Sequence, residues 1–120
     1  MNDIQDLIAR VEAATGADRE LDAEIHLFAT QNTIASVADI MAGNELGYAH
    51  PAYTASIDVA LMLVPDGHAW TIYGGDYNCP DSASLAKFSK RGQLIGDEYV
   101  ADGGTPALAI VAAALKARAA

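Results

Sequence analysis

Apolar residues at three- and four-residue spacing predict two helices at the start of the chain. The first covers residues 4–14, with Asn2 or Asp3 as its cap and Gly16 just beyond its end. Asp18 is the predicted cap of the second helix, whose acidic first turns interact favourably with the positive end of the helix dipole. The apolar stripes consist of Ile4, Leu7, Ile8 and Val11 in the first helix and Leu21, Ile25 and Phe28 in the second. We expect the two helices to pack as a hairpin.

The pattern is ambiguous in the next segment and then becomes regular again. Residues 33–43 fit either a short helix or a strand, and residues 44–52, with glycine, asparagine and proline, predict a loop. A third helix is predicted from a cap at Thr54 or Ser56 as far as Pro65, because proline cannot continue a helix. Its predicted buried face comprises Ile57, Ala60, Leu61 and Val64.

Alternation of apolar and polar positions predicts three strands in the second half of the chain. Asp66 and Gly67 predict a turn, after which residues 70–73 alternate as in a half-buried strand. Residues 74–82 predict a loop, residues 83–88 and 93–100 two further strands, and residues 90–92 the hairpin turn between them. Thr105 and Pro106 then predict the cap and first residue of an alanine-rich final helix.

These elements predict a single α+β domain, in which helices are layered with a small antiparallel sheet of about three strands. A length of 120 residues also predicts one domain with one core. Because alanine lets neighbouring elements approach closely, the final helix should lie against the sheet or against a symmetry mate. The second possibility favours a homo-oligomer.

The formal net charge of −9 argues against binding to nucleic acid, because phosphate backbones require a basic surface. No lysine or arginine lies between Arg19 and Lys87, an interval rich in acidic residues. No apolar run is long enough to span a bilayer, and the N-terminal residues do not form a signal peptide, so we expect neither a membrane anchor nor secretion. One cysteine, Cys79, is consistent with a reducing cytosol.

Several segments in combination resemble a known family of small phage and prophage proteins. They are residues 18–25 (DRELDAEI), 53–58 (YTASID) with Ala60, 63–65 (LVP) with Gly67 and Trp70, 105–109 (TPALA) and 116–118 (KAR). Together they are similar to the phage ABA sandwich domain family. The resemblance implies a compact layered domain of viral origin that acts in the host cytoplasm. It carries over no catalytic residues.

Three groups of residues are candidates for binding a small phosphorylated, nucleotide-like ligand. Helix starts favour anions, which singles out Tyr53, Thr54 and Ser56 and, at the final helix, Gly104 and Thr105. Aromatic side chains could stack on a base: Tyr48, Tyr53, Trp70, Tyr73 and Tyr77. The densest cations are Lys87, Lys90 and Arg91. The commoner explanations are helix capping, core packing and a solvated turn, respectively.

The sequence contains no catalytic motif, so we expect a protein that is not an enzyme and needs no cofactor. Asp18, Asp22 and His26 follow one another at one-turn spacing and could bind a metal ion, with further ligands from His50 or His68. A solvated acidic face is the more frequent explanation, and we therefore expect no metal site.

The favoured functional hypothesis is an anti-defence phage protein that sequesters a nucleotide-derived immune signalling molecule without turnover. Sequestration requires affinity alone, which fits a chain with no catalytic constellation. The alternative is an acidic inhibitor or DNA mimic that binds a basic host protein through the acidic interval. An enzyme that uses Asp18, Asp22 and His26, and a structural role in the virion, are further possibilities.

Overall fold

The structure is a computed structural model that describes residues 3–30, 38–39, 41–42, 50–74 and 80–120. Its described elements form an α+β fold with four α-helices and a three-stranded antiparallel sheet in the order β1-β2-β3. The elements are α1 (Asp3–Ala13), α2 (Arg19–Ala29), α3 (Ile57–Ala60), a 3-10 turn (Leu61–Leu63), β1 (Ala69–Tyr73), β2 (Asp81–Phe88), β3 (Leu94–Gly103) and α4 (Pro106–Ala119). The predicted fold class is confirmed.

Local capping signals place the first two helices. Asp18 has extended backbone angles, and its Oδ1 accepts hydrogen bonds from the amides of Glu20 and Leu21 at 2.9 and 3.1 Å. An ion pair between Arg10 and Glu24 joins α1 to α2. The predicted cap was Asn2 or Asp3; the helix already includes Asp3, and Asn2 lies outside the described residues.

The ambiguous segment lies largely outside the described residues. Of residues 33–43, the structure describes 38, 39, 41 and 42, and all four are helical. The third predicted helix is split into α3 and the 3-10 turn, and it is capped by Ser56. Its predicted buried face is partly wrong, because Leu63 is buried whereas Ile57 is 38% exposed.

The sheet is longer than the sequence pattern predicts. β2 begins at Asp81, which lies opposite Gly103 at the end of β3, so pairing extends into a segment that was predicted to be a loop. The turn between these strands is closed by a bond from the Ser89 amide to the Gln93 carbonyl at 2.8 Å. The register shifts between Leu85 and Lys87, and Gly96 in the facing segment has a φ of 73° that favours glycine.

Helix α4 forms the centre of the core. Every residue from Ala107 to Leu115 is buried, and the helix contacts all three strands, α1, α3 and the 3-10 turn. A helix that is apolar all round is expected to be enclosed by its own protein. The alanines of α4 therefore pack within this chain, and they no longer favour a symmetry mate as the neighbour of this helix.

The two faces of the sheet have different surroundings. Cross-strand partners share a face, and the rows Ile72–Ala83–Ala101 and Trp70–Leu85–Tyr99 lie on the core side. The opposite face carries the rows Thr71–Ser84–Val100 and Tyr73–Ser82–Asp102. Tyr73 is 55% exposed and Val100 is 51% exposed, so this second face retains accessible apolar surface.

Candidate functional site

A cleft of about 540 Å³ lies where the starts of α3 and α4 converge. It is lined by Ala17, Thr54, Ala55, Ser56, Ile57, Asp58, Thr105, Pro106 and Ala107. Two helix starts that are 49 residues apart in the sequence, at Ser56 and Thr105, therefore open onto the same space. The volume is within the range typical of small-molecule sites.

The start of α4 places a hydroxyl and a backbone amide at the cleft. Thr105 has extended backbone angles, and its Oγ1 accepts a hydrogen bond from the amide of Leu108 at 3.2 Å, which confirms the predicted cap. Pro106 has no N–H, and the first amides of a helix have no acceptor within it. The amide of Ala107 is therefore the donor that the start of α4 offers to a molecule in the cleft.

The start of α3 contributes a second cap and a negative charge. The hydroxyl of Ser56 accepts a hydrogen bond from the amide of Val59 at 3.5 Å. The carboxylate of Asp58 is exposed and lies in the first turn, among the residues that line the cleft. Asp58 stabilises the helix start, but it also lowers the affinity of the cleft for an anion.

Thr54 lines the cleft but does not cap the helix, so this half of the predicted cap is wrong. Its amide and its hydroxyl each donate to Oδ1 of Asp22 at 2.7 Å. The same hydroxyl oxygen accepts a hydrogen bond from the amide of Asp18 at 2.8 Å. Thr54 and Asp22 are both fully buried, which means that this pair fixes the chain before α3 onto α2.

Arg19 and His50 complete the polar cluster around Asp22. Nη1 of Arg19 lies 2.9 Å from Oδ2 of Asp22, and Nη2 donates to the carbonyl of His50 at 2.8 Å. Nε2 of His50 lies 3.0 Å from the carbonyl of Arg19. This cluster was missed from the sequence, where Asp22 was interpreted as part of a solvated face. Asp22 is buried beside Leu21, Ala23 and Ile25, but it lies outside the stripe of Leu21, Ile25 and Phe28, so the sequence pattern carried no signal for it.

Tyr53 is buried rather than available for stacking. Its side chain is 4% exposed, and its hydroxyl lies 3.3 Å from Nδ1 of His26. Burial raises the pKa of Tyr53, with a smaller opposing effect of Arg118 and a further increase from Asp22. The ring of Tyr53 belongs to the core and does not line the cleft, and a direct ligand contact of Tyr53 stays a prediction.

The possible metal ligands Asp18, Asp22 and His26 each have another partner. Asp18 caps α2, Asp22 binds Thr54 and Arg19, and His26 lies against Tyr53. Within the described ranges, no group of three or more histidine, cysteine, aspartate or glutamate side chains could bind a metal ion.

The remaining predicted ligand residues that the structure describes do not line the cleft. Trp70 and Tyr73 lie on β1, where they are 47% and 55% exposed. Lys90 and Arg91 are exposed on the turn between β2 and β3. Gly104 packs against the end of α1, since a Cβ atom there would lie 2.6 Å from the carbonyl oxygen of Ala14. Tyr77 and Tyr48 are outside the described residues. Of the predicted set, Thr54, Ser56 and Thr105 meet at the cleft.

No family model, curated protein or solved structure matches this chain. The resemblance to the phage ABA sandwich domain family therefore remains a prediction. Among the described helices, none has the length and apolar character needed to cross a bilayer.

Proposed function

We propose that this protein binds a small phosphorylated, nucleotide-like ligand in the cleft between α3 and α4 and holds it without turnover. The observation that carries the proposal is the convergence of the helix starts at Ser56 and Thr105 on one cleft of ligand size. A helix start combines unpaired amides with the positive end of the dipole, and both features favour an anion.

Helix α4 would supply most of the electrostatic attraction, because its 14 residues form a longer array of aligned peptide dipoles than the four of α3. The start of α3 would supply amides and the hydroxyl of Ser56. Hydroxyls and amides can donate short-range hydrogen bonds to a phosphate. The phosphate can therefore be bound without a lysine or arginine in the cleft.

The charge of the protein limits which phosphorylated ligands are suitable. The net charge of −9 and the nearby carboxylate of Asp58 both oppose a highly charged anion. A phosphodiester carries one negative charge per phosphate, fewer than a terminal phosphate monoester at neutral pH. We therefore favour cyclic nucleotides over nucleoside triphosphates.

The biological role in this proposal is sequestration of a nucleotide-derived immune signalling molecule by a phage protein in the host cytoplasm. The resemblance to phage proteins supports it. The acidic-inhibitor alternative has less support. Asp22 is buried, Asp66 precedes the start of β1 and Asp81 lies beside its end, so the acidic residues that the structure describes do not form one continuous row.

The proposal is tested by isothermal titration calorimetry of the purified protein against cyclic mononucleotides, cyclic dinucleotides and ADP-ribose derivatives. We expect at least one of them to bind more tightly than millimolar. Asp58→Asn should then strengthen binding about threefold to tenfold, because it removes a repulsive charge from the cleft. Asp66→Asn is the matched control, because it removes an equal charge from an exposed residue outside the cleft lining.

Two outcomes would reject the proposed site. One is the absence of binding by every compound in the panel. The other is binding that Asp58→Asn and Asp66→Asn change equally, which would show that only the overall charge matters.

A further inference from the structure

Among the described residues, strand β1 is a sheet edge without the features that usually prevent edge strands from pairing. Its sequence, AWTIY, contains no charged residue, no proline and no glycine, and every residue favours or tolerates a strand. In the described part of the chain, β2 is the only strand beside it. Its large side chains are accessible, since Trp70 is 47% exposed and Tyr73 is 55% exposed.

The opposite edge, β3, is protected. Nζ of Lys116 donates to the carbonyl of Val100 at 3.0 Å and also pairs with Glu12 at 3.3 Å. Both α4 and α1 contact β3. The strand itself carries Asp97, Glu98 and Asp102, whose charges would repel those of a second β3. Only β1 therefore offers a long enough uncharged edge among the described strands.

We propose that the edge of β1 is the interface of a homodimer, in which two copies pair antiparallel to form one continuous six-stranded sheet. The occupant is a second copy because the strand is complementary to itself. In the register centred on Thr71, that residue lies opposite Thr71 of the partner subunit. Trp70 lies opposite Ile72 of the partner subunit, and Ala69 opposite Tyr73 of the partner subunit.

Each of these cross-strand pairs is a favourable one. Antiparallel sheets are stabilised when an aromatic residue lies opposite a β-branched residue and when threonine lies opposite threonine. Ala69 is small and leaves room for the ring of Tyr73 of the partner subunit. The Trp70 to Ile72 contacts would form on the core side of the sheet, where Trp70 continues the row of Leu85 and Tyr99. The accessible side of Trp70 would thereby become buried.

The charges at the ends of β2 favour the same orientation. Lys87 lies near the end of the sheet where β1 begins, because Ala69 pairs with Ala86. Asp81 lies near the end where β1 finishes, because Tyr73 pairs with Ser82. A two-fold axis through Thr71 places the Lys87 end of each copy level with the Asp81 end of the other, three strand spacings or about 14 Å away, so the attraction is weak. A parallel arrangement would instead bring like charges together.

This inference is independent of the cleft, because none of the β1 residues lines it. It also replaces the interface that the alanine-rich final helix had suggested. The exposed aromatic residues Trp70 and Tyr73, which the sequence had suggested for base stacking, are assigned to the dimer contact instead.

The test is the molar mass of the protein in solution, measured by sedimentation equilibrium over a series of concentrations. We expect a reversible dimer with twice the chain mass of 12.5 kDa. Thr71→Lys places two lysines opposite each other at the two-fold axis and should weaken association roughly tenfold or more. Thr71 is exposed in the monomer, so circular dichroism should show an unchanged fold. Leu94→Lys is the matched control, since Leu94 is 51% exposed on β3 and should leave the dimer intact.

A charge-rescue experiment identifies the register. Thr71→Glu should also be monomeric, and an equimolar mixture of Thr71→Lys and Thr71→Glu should dimerise again, because opposite charges then meet at the axis. A wild-type protein that is monomeric at its highest soluble concentration would overturn the proposal and would leave the edge to an extended peptide of another protein. A dimer that both Thr71 variants leave unchanged would overturn it as well.

Discussion

The amide and the hydroxyl of Thr54 both bind one oxygen of the buried carboxylate of Asp22, each at 2.7 Å. The two residues are 32 positions apart, so this contact ties the segment before α3 to the middle of α2. Thr54 also lines the cleft, so the position of one cleft wall depends on the Asp22 carboxylate.

Asp22→Asn should lower the free energy of unfolding by about 2 to 3 kcal/mol. The amide oxygen can still accept from Thr54, but the charge that pairs with Arg19 is lost and an NH₂ group is placed in a buried polar cluster. Urea unfolding followed by circular dichroism measures the change. Asp102→Asn, at an exposed position of β3, is the control and should alter the free energy by less than about 0.5 kcal/mol. Equal effects of the two substitutions would contradict a structural role for Asp22.

Gly104→Ala and Gly103→Ala should each destabilise the fold by about 1 to 3 kcal/mol. A Cβ atom at Gly104 would lie 2.6 Å from the carbonyl oxygen of Ala14, and one at Gly103 would lie 2.4 Å from the amide nitrogen of Ala109. Both obstacles are backbone atoms, so neither can move aside by a rotamer change.

Gly16→Ala is the matched control for these two glycine substitutions. No atom lies within 4 Å of a Cβ built at Gly16, so we expect the midpoint of thermal unfolding to change little. If the Gly104 and Gly103 variants unfold at the same temperature as the Gly16 variant, the close approaches of Gly104 to Ala14 and of Gly103 to α4 are not needed for stability.

Tyr53→Phe should reduce the loss of stability at alkaline pH. Burial raises the pKa of Tyr53 in the folded state above its ordinary value of 10.0, because the phenolate is penalised in the core. The folded protein then retains a proton that the unfolded chain releases. The resulting stabilisation is complete below the ordinary pKa and is lost as pH rises through the raised one.

The measurement is the difference in unfolding free energy between wild type and Tyr53→Phe at a series of pH values. Below pH 10, the difference in unfolding free energy should stay roughly constant, because the variant lacks the contact with His26. Above pH 10, the wild type should lose stability relative to the variant. Subtraction removes the titration of lysines, which both proteins share. A difference that stays constant across this range would show that Tyr53 ionises as readily in the folded protein as in the unfolded chain.

Ala112→Leu should destabilise the protein by about 1 to 3 kcal/mol, because Ala112 is completely buried in α4 and extra methyl groups overpack a dense core. Ala119→Leu adds the same atoms at an exposed position of the same helix and should have little effect. Chemical unfolding of both variants tests whether the alanines are packed within the chain. Equal stability of the two variants would show that the surroundings of Ala112 can adapt.

Features that depend on neighbouring residues could be predicted from the sequence. Helix starts are marked by the side chains of Asp18, Thr105 and Pro106. Gly67 marks a turn because glycine tolerates a positive φ, and its φ is 83°. The number of strands follows from alternation within short segments. These signals are local, and the structure confirms them.

Features that depend on distant partners could not be predicted. Asp22 had a local explanation as part of an acidic helix turn, and Thr54 had one as a helix cap. Only the contact between them, across 32 residues of sequence, excludes both explanations. The extension of β2 to Asp81 depends on Gly103 of the neighbouring strand. Ser56 and Thr105 could be assigned to helix starts one at a time, but their meeting at one cleft is a property of the packed chain.

The enclosure of α4 has a consequence for how the protein is made. Helix α4 fills the core and is the last of the described elements to leave the ribosome. Until it emerges, the earlier helices and strands keep their apolar surfaces exposed. The described elements are therefore expected to fold together only once α4 has emerged. Loss of α4 would leave the other described elements without the apolar segment that they enclose.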